Sequence, residues 1–131
     1  MLLKIFETFD DLHTLTIVDS TDNSISVPHE TVTKVVSVNV VKDGCYLQIR
    51  YANFGKNNST NPGFRVLSSV NSSGPGRRHA VVVPAIQNYP MYIQHIFVGT
   101  LNAGTIAETY VYQNSGSAIT CWPAMQLIKL N

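Results

Sequence analysis

The sequence predicts an all-β fold, a sandwich or barrel of short strands. Three observations predict it. Apolar residues alternate with a period of two in segment after segment, and no stretch keeps a helical period. Val, Ile, Tyr, Phe and Thr fill those segments, where stiff and aromatic side chains suit a pleated surface. Gly, Asn, Ser and Pro cluster between them at intervals of about eight to twelve residues, as turns require.

The elements follow in order. Residues 2–6 (LLKIF) and 13–18 (HTLTIV) read as a hairpin around Asp10-Asp11. Residues 24–27 read as a short strand that Pro28 ends. In residues 32–41, Val32, Val36, Val38 and Val40 share one face and Thr33, Ser37 and Asn39 the other, with Lys34 and Val35 breaking the rule. A turn at Lys42-Asp43-Gly44 leads to a strand with Cys45, Leu47, Ile49 and Tyr51 on the face expected in the core. Tyr46, Gln48 and Arg50 take its other face. Residues 53–63 form a polar loop, 64–70 a strand, 71–78 a second loop, and 79–85 a strand whose Pro84 marks an edge or bulge. The last third reads as three strands, MYIQHIFVGT, TIAETYVYQ and AMQLIKL, joined by turns at residues 101–104 and 113–116. Several segments are apolar on both faces, so an extra apolar face needs a partner, expected to be another copy of the chain.

At 131 residues the chain is one domain large enough to bury its own core. It divides into an N-terminal segment, 1–23, expected to serve as an attachment piece or hairpin, and a β-sandwich domain, 24–131. Only 13% of residues are charged, against about 25% in an average domain. The net charge of +1 gives no field that favours nucleic acid or acidic membrane. The charge is uneven: residues 1–30 sum to −5 and residues 31–131 to +6. That division suits an N-terminal piece that docks on a basic surface. No stretch is apolar enough to cross a membrane, and the start turns acidic too early for a secretory signal. Cys45 and Cys121 sit in apolar strands and read as buried thiols; a bridge would need their strands adjacent.

Catalytic patterns are missing from the sequence. It has no phosphate-cradling loop, nucleophile elbow, HExxH, CxxC pair or calcium loop. Beyond residue 30 the carboxylates are Asp43 and Glu108, too few for carbohydrate cleavage by paired acids. No cofactor and no metal site is expected. His13, His29, His79 and His95 are scattered; His95 reads as a hydrogen-bonded, partly buried side chain, with convergence of three copies on an axis as the sharper alternative. Arg77 and Arg78 make a small basic spot suited to an anionic sugar or phosphate. Tyr51 and Phe54 beside Asn57 and Asn58 supply an aromatic face and amides, the parts of a sugar site. Asn57, Asn58 and Asn71 fit glycosylation sequons. Trp122 beside Pro123 reads as core or interface.

The run TVTKV, VVKDGCYLQIRYANF, FRVLSSVNSSG, HIFVGTLNAGTIAETYVYQNSGSAI and MQLIKLN resembles the tumour-necrosis-factor-like jelly roll shared with complement globular heads. It is especially similar to versions at the tips of phage fibres. The likeness spans residues 24–131, and no fibre stem accompanies it. The resemblance implies a tight homotrimer with aromatic residues of one sheet near the axis, expected at Tyr92, Ile96, Ile106, Tyr110 and Tyr112. It further implies a non-enzymatic phage virion-surface protein, assembled in the host cytoplasm. Such a protein would attach to host cell-surface glycan through loops 53–63, 71–78 and 114–120, including Asn114. The alternative is a decoration or head-fibre protein that stabilises the shell, with residues 1–23 contacting other virion proteins. No nucleic-acid or membrane-inserted partner is expected.

Overall fold

The computed structural model describes residues 24–71 and 78–131. The expected N-terminal hairpin, and Arg77 with most of its loop, lie outside these residues. Eight strands are present: β1 (Ile25–Val27), β2 (Thr33–Asn39), β3 (Gly44–Phe54), β4 (Phe64–Asn71), β5 (Arg78–Pro84), β6 (Met91–Leu101), β7 (Ile106–Gln113) and β8 (Ile119–Lys129). They form two four-stranded antiparallel sheets, ordered β1-β8-β3-β6 and β2-β7-β4-β5. Successive strands mostly swap sheets, which makes the sandwich a jelly roll.

Two apolar clusters fill the interior. One joins Val27, Ala52, Phe54, Leu67, Ile93, Val111, Ile119 and Cys121. The other joins Val36, Val38, Val40, Tyr46, Leu101, Ala107, Met125 and Leu127. The register of β2 slips between Lys34 and Val36, and the irregularity brings Val35 against both clusters. Lys34 and Val35, which break the alternation in the sequence, mark that bulge.

The expected facing of β3 is reversed. Tyr46, Gln48, Arg50, Ala52 and Phe54 are buried, while Cys45, Leu47, Ile49 and Tyr51 are turned outward and only half-buried. A strand apolar on both sides carries no intrinsic facing, because a shift of one residue exchanges the two sets. Phe54 and Ala52 settle it by packing with Leu67, Ile93 and Val111. The last strand also starts earlier than expected and takes in Trp122 and Pro123. Pro123 falls just beyond the final β1 pair, Ile25↔Cys121, where a missing N–H costs β8 least.

Both described cysteines are free thiols. Their strands are neighbours, but Cys121 stands opposite Phe54 at one end of β3 and Cys45 lies near the other. Nine residues of strand, roughly 30 Å, separate them.

Candidate functional site

The outward face of the β1-β8-β3-β6 sheet is an ordered apolar surface. The register sets its rows across β8, β3 and β6: Trp122–Asn53–Tyr92, Ala124–Tyr51–Gln94, Gln126–Ile49–Ile96 and Ile128–Leu47–Val98. None of these twelve side chains is charged. Tyr92, Ile96 and Val98 are more than half exposed, and Trp122 is 40% exposed. The rings of Tyr51 and Tyr92 pack against each other. Over the seven residues of each strand that these rows span, about 3.4 Å per residue and 4.8 Å between strands give a footprint of roughly 350 Å².

The opposite outer face differs in kind. It carries Ile106, Glu108, Tyr110 and Tyr112 on β7, with an ion pair from Lys34 to Glu108 at 3.5 Å. Tyr110 donates its hydroxyl proton to Glu108, and Tyr112 stacks on Phe64. The five expected interface residues are therefore split. Tyr92 and Ile96 share the uncharged face; Ile106, Tyr110 and Tyr112 lie on the other side of the sandwich. The cause is topological, since β6 and β7 are consecutive in sequence but enter different sheets. Leu47, Ile49, Val98 and Ile128 lie on the same face as Tyr92 and Ile96; Leu47 and Ile49 belong to the alternation first assigned to the core.

The expected sugar-binding residues are divided as well. Phe54 is wholly buried. Asn57 is a brace: its amide donates to Ser115 Oγ and Ser117 Oγ, and its Oδ1 accepts from the Ser59 N–H. Asn114 Oδ1 accepts the Phe64 N–H. Tyr51 belongs to the sheet face. Of the residues expected from the 53–63 loop, Asn58 stays exposed, its carbonyl accepting from Gln87 Nε2 at 2.9 Å. Arg78 opens β5 opposite Val70.

The β4–β5 connection is also distant from the other two loops. β4 ends at Asn71 beside Ala107, while Phe54, Phe64 and Gln113 mark the opposite end. Loops 53–63 and 114–120 share one end of the sandwich, and Asn71 and Arg78 sit at the other. At the shared end the turn 86–89 joins them through Asn88 N–H to the Asn57 carbonyl. Its Tyr89 is 63% exposed and follows Asn88, and Gln87 in the same turn donates to the Asn58 carbonyl. Sequence reasoning passed over it for lack of an adjoining polar run.

The only carboxylates described, Glu30, Asp43 and Glu108, are dispersed. Asp43 caps a turn by accepting the Ala103 N–H, and Glu108 is held by Lys34 and Tyr110. Among the described residues no cluster of metal-ligating side chains forms. His95 faces the interior, where its Nδ1 lies 2.9 Å from Ser69 Oγ, and so turns away from the uncharged face. Among the described residues no helix is long and apolar enough to cross a membrane.

This architecture is a tumour-necrosis-factor-like jelly roll. The Eiger tumour necrosis factor of S. frugiperda superposes with a TM-score of 0.59 at 11% identity, over 88% of this chain and 92% of that one. The globular domain of zebrafish complement 1qA protein gives 0.51 at 10% identity, over 82% and 97%. A protein of the infectious bursal disease virus Gx strain gives 0.50 at 11% identity, with 87% of this chain matching 31% of that one. No family model matches the chain, and no curated protein matches its sequence.

Proposed function

We propose that the chain is a non-enzymatic homotrimeric module of a phage virion surface, which attaches to host cell-surface glycan. The observation that carries the assembly is the uncharged outward face of β8, β3 and β6. Covering Tyr92, Ile96, Val98 and Trp122 removes apolar surface from water at about 25 cal/mol per Å². The face carries no charge that would have to be desolvated with it. The partner in this reading is a second and third copy of the same face, in keeping with the trimer that the family resemblance implies. Glycan contact then falls to the end that carries loops 55–63, 86–89 and 114–117, with Tyr89 as the stacking surface and Asn58 and Gln87 as amides. Three copies on one axis would multiply a weak single contact.

Sedimentation velocity tests the assembly: a trimer at micromolar concentration is expected, and a stable monomer refutes it. Binding of the purified protein to host cells, with Tyr89→Ala reducing it at least tenfold, tests attachment. Binding to undecorated capsids instead of cells would assign the protein to shell decoration.

A further inference from the structure

One cross-section of the sandwich holds a buried positive charge with no negative partner. On the first sheet it contains Met125, Arg50 and His95, side by side on β8, β3 and β6. On the second it contains Thr109, Ser69 and His79 on β7, β4 and β5. The Ser69–His95 hydrogen bond ties the two halves together. Arg50 is wholly buried. Its Nη1 donates to Gln48 Oε1 at 2.9 Å and its Nη2 to Asn71 Oδ1 at 2.8 Å. Phe97 packs on the guanidinium, 5.2 Å from the ring centroid.

These neighbours supply dipoles, not charge. Among the described residues Arg50 forms no ion pair: Glu30 lies beside His29, Asp43 is in a turn, and Glu108 is on the outer face with Lys34. Two polar atoms of the layer, Arg50 Nε and Thr109 Oγ1, are buried without a hydrogen-bond partner among the described residues. A buried guanidinium with an orphan N–H and no counter-charge is costly, and an unassigned ion is an established reason for such a group.

We propose that this layer binds one small inorganic anion of the halide class, held by Arg50 Nε and reached through the edge between β5 and β6. Both strands are edges of their sheets, so no further described strand closes that side. His95 is half-buried there and His79 is exposed, their ring centroids 5.8 Å apart. A monatomic anion suits a site with one free guanidinium N–H, since an oxyanion needs several converging donors. Protonation of His95 adds positive charge to the same edge. Among the described side chains facing the layer, Arg50 is the only other charged group; Ser69 and Asn71 from β4, Thr109 from β7 and Met125 from β8 are neutral. Affinity therefore rises as pH falls.

The test uses the full chain in sodium chloride or sodium gluconate at equal ionic strength. Thermal unfolding should show a saturable rise in Tm with chloride, because an ion that binds only the folded state stabilises it in proportion to occupancy. The rise should be larger near about pH 5 than about pH 8, on either side of the histidine range. Crystals grown with bromide should place one anomalous scatterer within contact of the Arg50 guanidinium. Arg50→Met, which keeps length and removes charge, should abolish the chloride response. If that variant does not fold, the bromide position in the unmodified protein decides. Equal Tm in both salts at both pH values, or bromide found on the surface alone, overturns the proposal.

Discussion

Tyr51 and Tyr92 lie with ring centroids 5.6 Å apart on the outward side of neighbouring strands, not in the core. Their exposure leads to the first prediction. Ile96 and Val98 continue the same face at 54% and 58% exposure, so lysine there leaves the single subunit nearly undisturbed. In an assembled trimer the same lysines would be buried without a counter-charge. Ile96→Lys/Val98→Lys should weaken association at least 100-fold, about 2.7 kcal/mol, with an unchanged far-ultraviolet spectrum. Ile106→Lys, on the opposite sheet, should leave association as it was. Sedimentation velocity reads both. If Ile106→Lys dissociates the protein and the β6 pair does not, the interface is on the other sheet.

The contrast between β6 and β7 shows what was legible in the residues. Alternation located β2 through β7 to within a residue or two, because a period of two is a local property of the chain. Strands and turns alone predict a sandwich or barrel; the jelly roll came from the resemblance of motifs such as Val111-Tyr112-Gln113-Asn114-Ser115-Gly116 to the tumour-necrosis-factor-like family. Which face of β3 is inside was not legible: Leu47, Ile49 and Tyr51 are as apolar as Tyr46, Ala52 and Phe54, and only the opposing sheet decides between them. Arg50 and Gln48, read as an outer polar face, are buried, with the two Nη groups of Arg50 bonded to Gln48 and Asn71. The same limit affected the sugar-site residues. Asn57 and Asn114 look like free amides in a polar loop, yet each is bonded to a segment about 50 to 60 residues away. Such partners have no local signature.

The two thiols should differ sharply. Cys121 is wholly buried, and burial pushes its thiol up to about 12. Thiolate is the reactive form, so Cys121 should stay silent toward a thiol reagent near neutral pH. Cys45 is half-buried on the outer face and is the residue open to attack in a separated subunit. Titration of Ile96→Lys/Val98→Lys with a chromogenic disulfide should count one thiol in buffer and two in denaturant. Two fast thiols in buffer would show that β8 opens readily.

Gly63 holds the loop that joins β3 to β4. Its φ is +68°, and a Cβ placed there would stand 2.0 Å from Asn114 Oδ1. Gly63→Ala therefore meets two costs: about 1–2 kcal/mol for a left-handed alanine, and about 1 kcal/mol for displacing the Asn114–Phe64 hydrogen bond. Together they should lower Tm by on the order of 10 °C. The same change in an Asn114→Ser background should cost less, since the clash is with the longer side chain. A loss below about 0.5 kcal/mol, the range of neutral surface changes, would show that the loop relaxes freely.

His95 should make stability fall with acid. Burial lowers its pKa most, followed by the charges of His79 and Arg50. The unfolded chain then takes up the proton first, near the ordinary value of about 6.5, while the folded protein resists it. Stability is full above that value and declines as pH falls from it toward the lower folded pKa. His95→Gln keeps an amide within reach of Ser69 Oγ and removes the titration. Melting midpoints of the native protein should drop between about pH 7 and pH 5, and those of His95→Gln should drop less. The comparison belongs in gluconate, where no halide can offset the added charge at Arg50. Parallel declines in the two proteins would assign the acid sensitivity to other groups.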